Sequence, residues 1–238
     1  MSRIRYLVTG TGRCGTVFMA RLLTSLGVPC AHETIFQNDG IDAATKRMLG
    51  ITPLHLSGVS MRDSQDWLNP DNLEAESSYM AAPFLNHDFL MDSLVIHVVR
   101  HPVKVVNSFC NYLDYFQSSD PTNAYEAFIY NHIPELRDEL TPYDRGCLYY
   151  VRWNEMIERN LMNRGYLFHR IEEGIKPILE FLEIEEPEEF FKDKKANTFE
   201  KPCAKFSVKD IEQDYVRETF TEIGNRYGYS MLSENLLV

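Results

Sequence analysis

A run of β-formers, Tyr6-Leu7-Val8-Thr9, breaks into Gly10-Thr11-Gly12-Arg13-Cys14-Gly15 and then into Thr16-Val17-Phe18-Met19-Ala20-Arg21-Leu22-Leu23-Thr24-Ser25-Leu26, which keeps helical spacing up to Gly27. Strand, glycine-rich turn and helix start, in that order, constrain the fold more than any other stretch. The glycines let backbone approach a ligand closely. The first N–H groups of the helix point at that ligand, and the helix dipole favours negative charge. The expected guest is a phosphate or a phosphate-like group.

The glycines alone do not name the guest. Gly10-x-Gly12-x-x-Gly15 satisfies a dinucleotide fingerprint, with Glu33 about where that fingerprint places its ribose-binding acid. The nucleoside-triphosphate loop pattern is approached by the spacing of Gly10 and Gly15, then fails, because Thr16 and Val17 stand where Lys and Ser/Thr should follow. Arg13 is out of place in a dinucleotide turn and suited to a sulfonate or phosphate.

The 238 residues, 44 % hydrophobic, suffice for one globular domain over 1–238 with a core that needs no staples. A formal net charge of −11 argues against a nucleic-acid or membrane-surface binder, so an anionic ligand must be held by a local basic site. Five scattered cysteines (Cys14, Cys30, Cys110, Cys147, Cys203) without a Cys-x-x-Cys pair fit free thiols in a reducing compartment and disfavour zinc. No run approaches the ~20 apolar residues of a membrane span and no signal peptide is evident, so a soluble, cytoplasmic protein is expected.

Along the chain, Val28–Glu33 reads as a short strand ending in His32 and Glu33. Residues 34–76 read as an insertion that shapes a substrate site or lies on the surface. Glu76–Leu85 reads as strand or short helix, and Leu94–Val99 as the clearest buried strand, followed by a helix that Pro102 opens. Helices are expected over Ala124–Leu136, Gly146–Leu161 and Ile175–Leu182, with a strand at Tyr166–Arg170. Lys192–Lys205 is a basic loop, and Ser207 opens a long amphipathic helix Val208–Tyr227 within a terminal segment 207–238. The alternation predicts a three-layer α/β/α domain with a mostly parallel central sheet.

Arg100 occupies the end of Leu94–Val99 where a metal-dependent nucleotide hydrolase would offer a carboxylate. With the loop lysine and the metal-binding hydroxyl also missing, no metal is expected. Arg100 offers a planar fork and Ser108 a hydroxyl, a combination suited to a second phosphate. Two anion sites imply a ligand with two separated anionic ends.

Together these stretches resemble the sulfotransferase family. Thr9-Gly10-Thr11-Gly12-Arg13-Cys14-Gly15-Thr16 is similar to its 5′-phosphosulfate loop, and Val98-Val99-Arg100-His101-Pro102-Val103-Lys104-Val105-Val106-Asn107-Ser108-Phe109 to its 3′-phosphate motif. His32-Glu33 and Ser77–Pro83 are similar to features of the family's bacterial branch, and Trp153-Asn154 and Tyr166–Leu182 follow in family order, so the resemblance runs to about Leu182. It implies a P-loop NTPase-like sulfotransferase fold, 3′-phosphoadenosine 5′-phosphosulfate (PAPS) as donor, adenosine 3′,5′-bisphosphate (PAP) as product, and metal-independent transfer to a hydroxyl or amine of a small-molecule or carbohydrate acceptor. The backbone of Arg13, Cys14, Gly15, Thr16 and Val17 would hold the phosphosulfate, and the Arg13 side chain would stabilise the leaving phosphate. Arg100 and Ser108 would hold the 3′-phosphate. Glu33 or His32 would be the base, with Glu33 favoured. The Arg-Lys-Gly triplet of many eukaryotic members is absent, and Lys201 and Lys205 are the candidates to replace it. A Rossmann-type NAD(P)- or flavin-binding oxidoreductase and a non-catalytic nucleotide-binding protein stand as the alternatives.

Overall fold

Short extended runs, mostly apolar in Tyr6–Thr9 and Leu94–Val99 and mixed elsewhere, make the strands of one sheet. The computed structural model describes residues 4–33, 73–88, 90–190 and 205–231. Its strands are β1 (Tyr6–Thr9), β2 (Cys30–His32), β3 (Ala75–Ser77), β4 (Leu94–Val99) and β5 (Tyr166–Arg170). They lie in the order β2-β3-β1-β4-β5, and every pairing is parallel, with Val8 opposite both Ser77 and Ile96. All five carboxyl ends therefore emerge at one edge. The chain winds from β1 toward β2 on one side and toward β5 on the other, so β1 and β4 flank the switch point where open α/β sheets bind ligands.

The helices are α1 (Thr16–Ser25), α2 (Pro102–Asn107), α3 (Ala124–His132), α4 (Pro142–Leu161), α5 (Lys176–Leu182) and α6 (Asp214–Arg226). They make this an α/β fold, a parallel sheet flanked by helices. Packing divides the chain into two compact units, Met1–Arg100 with Glu155–Thr198, and His101–Asn154 with Phe199–Val238.

The first unit contains the sheet. Helices α1 and α5 cover one face, where Phe18, Leu22, Leu23, Ile178 and Leu182 pack on Tyr6, Val8, Ile96 and Val98. Residues two apart on β1 and β4 share this face, as strand geometry requires. Each such aliphatic side chain removed from water contributes about 1.5–3 kcal/mol. Gly27 ends α1 at φ 86°, and the Val28 amide bonds back to Leu23 O at 2.9 Å.

In the second unit α2 runs straight into a π turn, Ser108–Tyr112. Phe109, Phe116, Tyr149 and Trp153 are wholly buried there. Two departures from the sequence reading have local causes. The helix expected to reach Leu136 ends at His132, because Pro134 lacks the N–H to continue it, and a 3₁₀ turn Pro134–Arg137 follows. The terminal helix does not start at Val208. Ser207 and Asp210 form their capping box around a 3₁₀ turn, Val208–Asp210. The amides of Glu212 and Gln213 then turn to Asp144 Oδ1, each at 3.1 Å, and α6 begins at Asp214.

Candidate active site

The glycine loop leaves β1 between two close neighbours. A Cβ at Gly10 would lie 2.1 Å from the carbonyl oxygen of Val98, so the loop rides directly on β4 and only glycine fits. Gly15 has φ 108°, and a Cβ there would meet Ile171 at 2.9 Å. Arg13 also takes a left-handed backbone, φ 66°. Three consecutive turn positions, Arg13 to Gly15, thus lead the chain into α1, whose N-terminus no side chain caps.

Arg100 closes β4, and its Nη1 donates to the carbonyl of Arg13 at 3.2 Å. The strand-end cation thus reaches the loop from the adjoining strand. Cys14 contributes backbone alone. Its thiol is buried against Gly10 and pushed up to about 12 by that burial, which outweighs the opposing pull of Arg100. It is no nucleophile. Val17 is buried in the first turn of α1.

Thr16, the first residue of α1, is anchored twice. Its carbonyl accepts from Ser77 Oγ at 2.8 Å, and its hydroxyl lies 3.1 Å from His32 Nε2. Ser77 ends β3, and its carbonyl accepts the amide of Glu33 at 3.3 Å. Glu33 follows β2 at φ 59°, with Oε1 3.8 Å from His32 Nε2. Four residues from the ends of three elements form one polar circuit. Burial, reinforced by the Arg21 charge, lowers His32 to about 4 and keeps it neutral. Burial raises Glu33 to about 8. Its ionised form, which prevails above about 8, is thereby a stronger proton acceptor than an ordinary carboxylate.

Ser108 and Lys205 belong to the second unit. Ser108 is buried at the junction of α2 and the π turn. Lys205 is exposed, and the next amide, Phe206 N–H, donates to Asn107 Oδ1 at 3.0 Å. The end of the basic loop is thereby tied to the residue preceding Ser108, 99 positions away. Lys201 and residues 34–72 lie outside the described residues. Ser77 and Asn107 were not singled out from sequence. Each carries the weak signal of a small polar residue beside an element that holds a candidate, Ser77 at a strand's carboxyl end and Asn107 next to Ser108.

A family model described as a sulfotransferase domain matches residues 5–199. The chain belongs to that family. Among solved structures it is similar to a sulfotransferase from Alicyclobacillus acidocaldarius, at 13 % identity and a TM-score of 0.46, with 95 % of this chain and 93 % of that chain covered. No curated protein matches.

As a sulfotransferase, the chain departs from the oxidoreductase alternative in a way the sheet makes physical. A Rossmann sheet sets β2 beside β1, so that the acid ending β2 reaches the ribose. Here β3 lies between them, and Glu33 faces the circuit with His32 and Ser77 instead. Among the described residues, no group of three or more His, Cys, Asp or Glu could hold a metal ion. No helix of the described residues is long and apolar enough to cross a membrane.

Proposed function

We propose that this sulfotransferase takes its sulfuryl group from PAPS and passes it to a hydroxyl or amine of a small-molecule or carbohydrate acceptor, without a metal. The observation that carries the reading is the meeting of Arg100 with the carbonyl of Arg13 on a loop that tolerates no side chain at Gly10. It joins a backbone cradle for one anionic group to a cation from the next strand. In this reading the backbone of Arg13 to Val17 would take the 5′-phosphosulfate, and the candidates for the 3′-phosphate are Arg100 in the first unit and Ser108 in the second. Lys201 and Lys205 would add positive charge at the adenosine end.

In the transfer, the acceptor oxygen or nitrogen forms a bond to sulfur as the bond from sulfur to the bridging phosphate oxygen breaks. The acceptor proton goes to the Glu33 carboxylate, and the Arg13 guanidinium stabilises charge growing on the departing oxygen. Arg13 acts electrostatically, since a guanidinium keeps its protons. In-line positioning and fixed donors suffice because the sulfuryl group carries less charge than a phosphoryl group. A cytoplasmic location agrees with the free thiols of Cys14, Cys30, Cys110 and Cys147.

Thermal unfolding tests the donor. PAP at saturating concentration should raise the melting temperature, whereas NAD should not. Arg100→Ala should abolish most of the PAP shift and change the response to AMP little. A shift with NAD and none with PAP would overturn the reading. PAP binding without turnover of labelled PAPS across a broad acceptor panel would favour a non-catalytic binding protein.

A further inference from the structure

The circuit at the carboxyl edge of the sheet assigns different work to its two ionisable members. Thr16 opens α1, at the position where an anion in the cradle would be met by a hydroxyl. A hydroxyl has one proton. If Thr16 gives that proton to His32, its oxygen turns lone pairs toward the anion and repels it. If Thr16 accepts from His32, its proton is left for an anionic oxygen, and the contact becomes a charge-assisted hydrogen bond. The 3.1 Å separation of Thr16 Oγ1 and His32 Nε2 allows either direction, and a bound anion decides between them.

The same distances argue against His32 as the base. Nε2 is engaged with Thr16, and Glu33 Oε1 at 3.8 Å lies beyond hydrogen-bonding range of that nitrogen. Glu33 is held separately by its amide on Ser77 O, while Ser77 Oγ fixes the Thr16 carbonyl. The backbone at both ends of the His32–Thr16 contact is therefore pinned by Ser77, which is wholly buried. An imidazole held in this way orients a neighbour. A proton acceptor would instead need its nitrogen turned to the acceptor.

We propose that His32 is a positioning residue whose Nε2–H donates to Thr16 Oγ1 and thereby aims the Thr16 proton at the 5′-phosphate end of the donor, leaving proton abstraction to Glu33. This deepens the sulfotransfer reading and rests on it. Neutrality of the ring, which its burial enforces, is a requirement of the arrangement, because a neutral imidazole has one N–H to place.

Calorimetric titration with PAP and steady-state kinetics on the full chain test the assignment, beside nitrogen-15 NMR of the PAP-bound protein. His32→Ala should weaken PAP and raise the KM for PAPS about tenfold, the size of one charge-assisted hydrogen bond, while kcat holds. His32→Gln, whose amide N–H stands near the place of Nε2, should recover most of the loss. Thr16→Ala should lose as much, and Thr16→Ala/His32→Ala no more than either. The His32 spectrum should show the Nε2–H tautomer. A His32→Gln variant as poor in kcat as His32→Ala with PAP affinity intact would make His32 the base and overturn the proposal. Additive losses, or the Nδ1–H tautomer, would overturn it too. If the wild type binds PAP and the His32 variants match it, only this assignment fails. If the wild type binds no PAP, the sulfotransfer reading fails with it.

Discussion

Glu33 and His32 are neighbours in sequence, equally ionisable on paper and about equally buried, yet burial drives their proton affinities in opposite directions. The carboxyl rises to about 8 and the imidazole falls to about 4, so both are uncharged at neutral pH in the free protein. Such opposite displacement separates acid and base roles at one site. If Glu33 accepts the acceptor's proton, its ionised form is the active one. The pH profile of kcat/KM, which reports the free enzyme, should then climb with pH and level off above about 8. Glu33→Gln should bind PAP as the wild type does and lose turnover by about a hundredfold or more. A profile already flat from pH 6 would remove Glu33 from the role. The residue pair was legible in the sequence as a candidate base. The geometry between them was not, because it depends on the fold bringing His32 Nε2 to 3.1 Å from Thr16 Oγ1 and leaving it 3.8 Å from Glu33 Oε1.

At the scale of elements, strands were easier to read than helix ends. Leu94–Val99 and Tyr166–Arg170 fall where their β-branched and aromatic runs put them; the first, buried inside the parallel sheet, leaves a nearly continuous apolar signature. The start of α6 was invisible. It is set by Asp144, at the head of α4, whose Oδ1 takes the amides of Glu212 and Gln213 while Oδ2 takes the amide and hydroxyl of Thr141. A contact spanning 68 positions leaves no local pattern. Asp144 is fully buried, so its loss strands several donors. Asp144→Ala should destabilise the protein by about 2–4 kcal/mol, and Asp144→Asn by roughly half as much, because one carbonyl oxygen can still accept. Urea unfolding midpoints measure both. Equal costs would mean that charge, not the hydrogen-bond set, holds the turn.

Across the whole molecule, the buried ionisable groups shape how stability follows pH. Burial holds His132 down to about 4, as it does His32. Histidines in the unfolded chain take up protons near 6.5, so acidification from 6.5 toward 4 favours the unfolded state. Glu33 works the other way. Its proton stays bound in the folded state up to about 8 and leaves the unfolded chain near 4.5, so the stability it lends is complete below 4.5 and lost as pH rises through 8. Among the described residues, the two histidines outweigh the carboxyl on the acid side, and the carboxyl sets the direction above 6.5. The urea midpoint should therefore peak near pH 6.5, declining gently toward 8 and more steeply toward 4. Glu33→Gln should flatten the alkaline decline, and His132→Phe should soften the acid one. A midpoint that still climbs between pH 6.5 and 8 would contradict the balance.

The polarity of the sheet has a consequence for how this sequence can change over time. Gly10, Glu33, Ser77 and Arg100 all stand at the carboxyl ends of strands. The opposite ends are closed by Ser93 Oγ on Ile4 O and by the Arg164 guanidinium on the carbonyls of Leu85, Leu90 and Ser93. Under the proposed function, a changed side chain at the first rim alters what is recognised or how fast it reacts while the sheet persists. At the other rim a changed side chain removes contacts that hold the sheet's edge, so its cost is read in stability, whatever the acceptor.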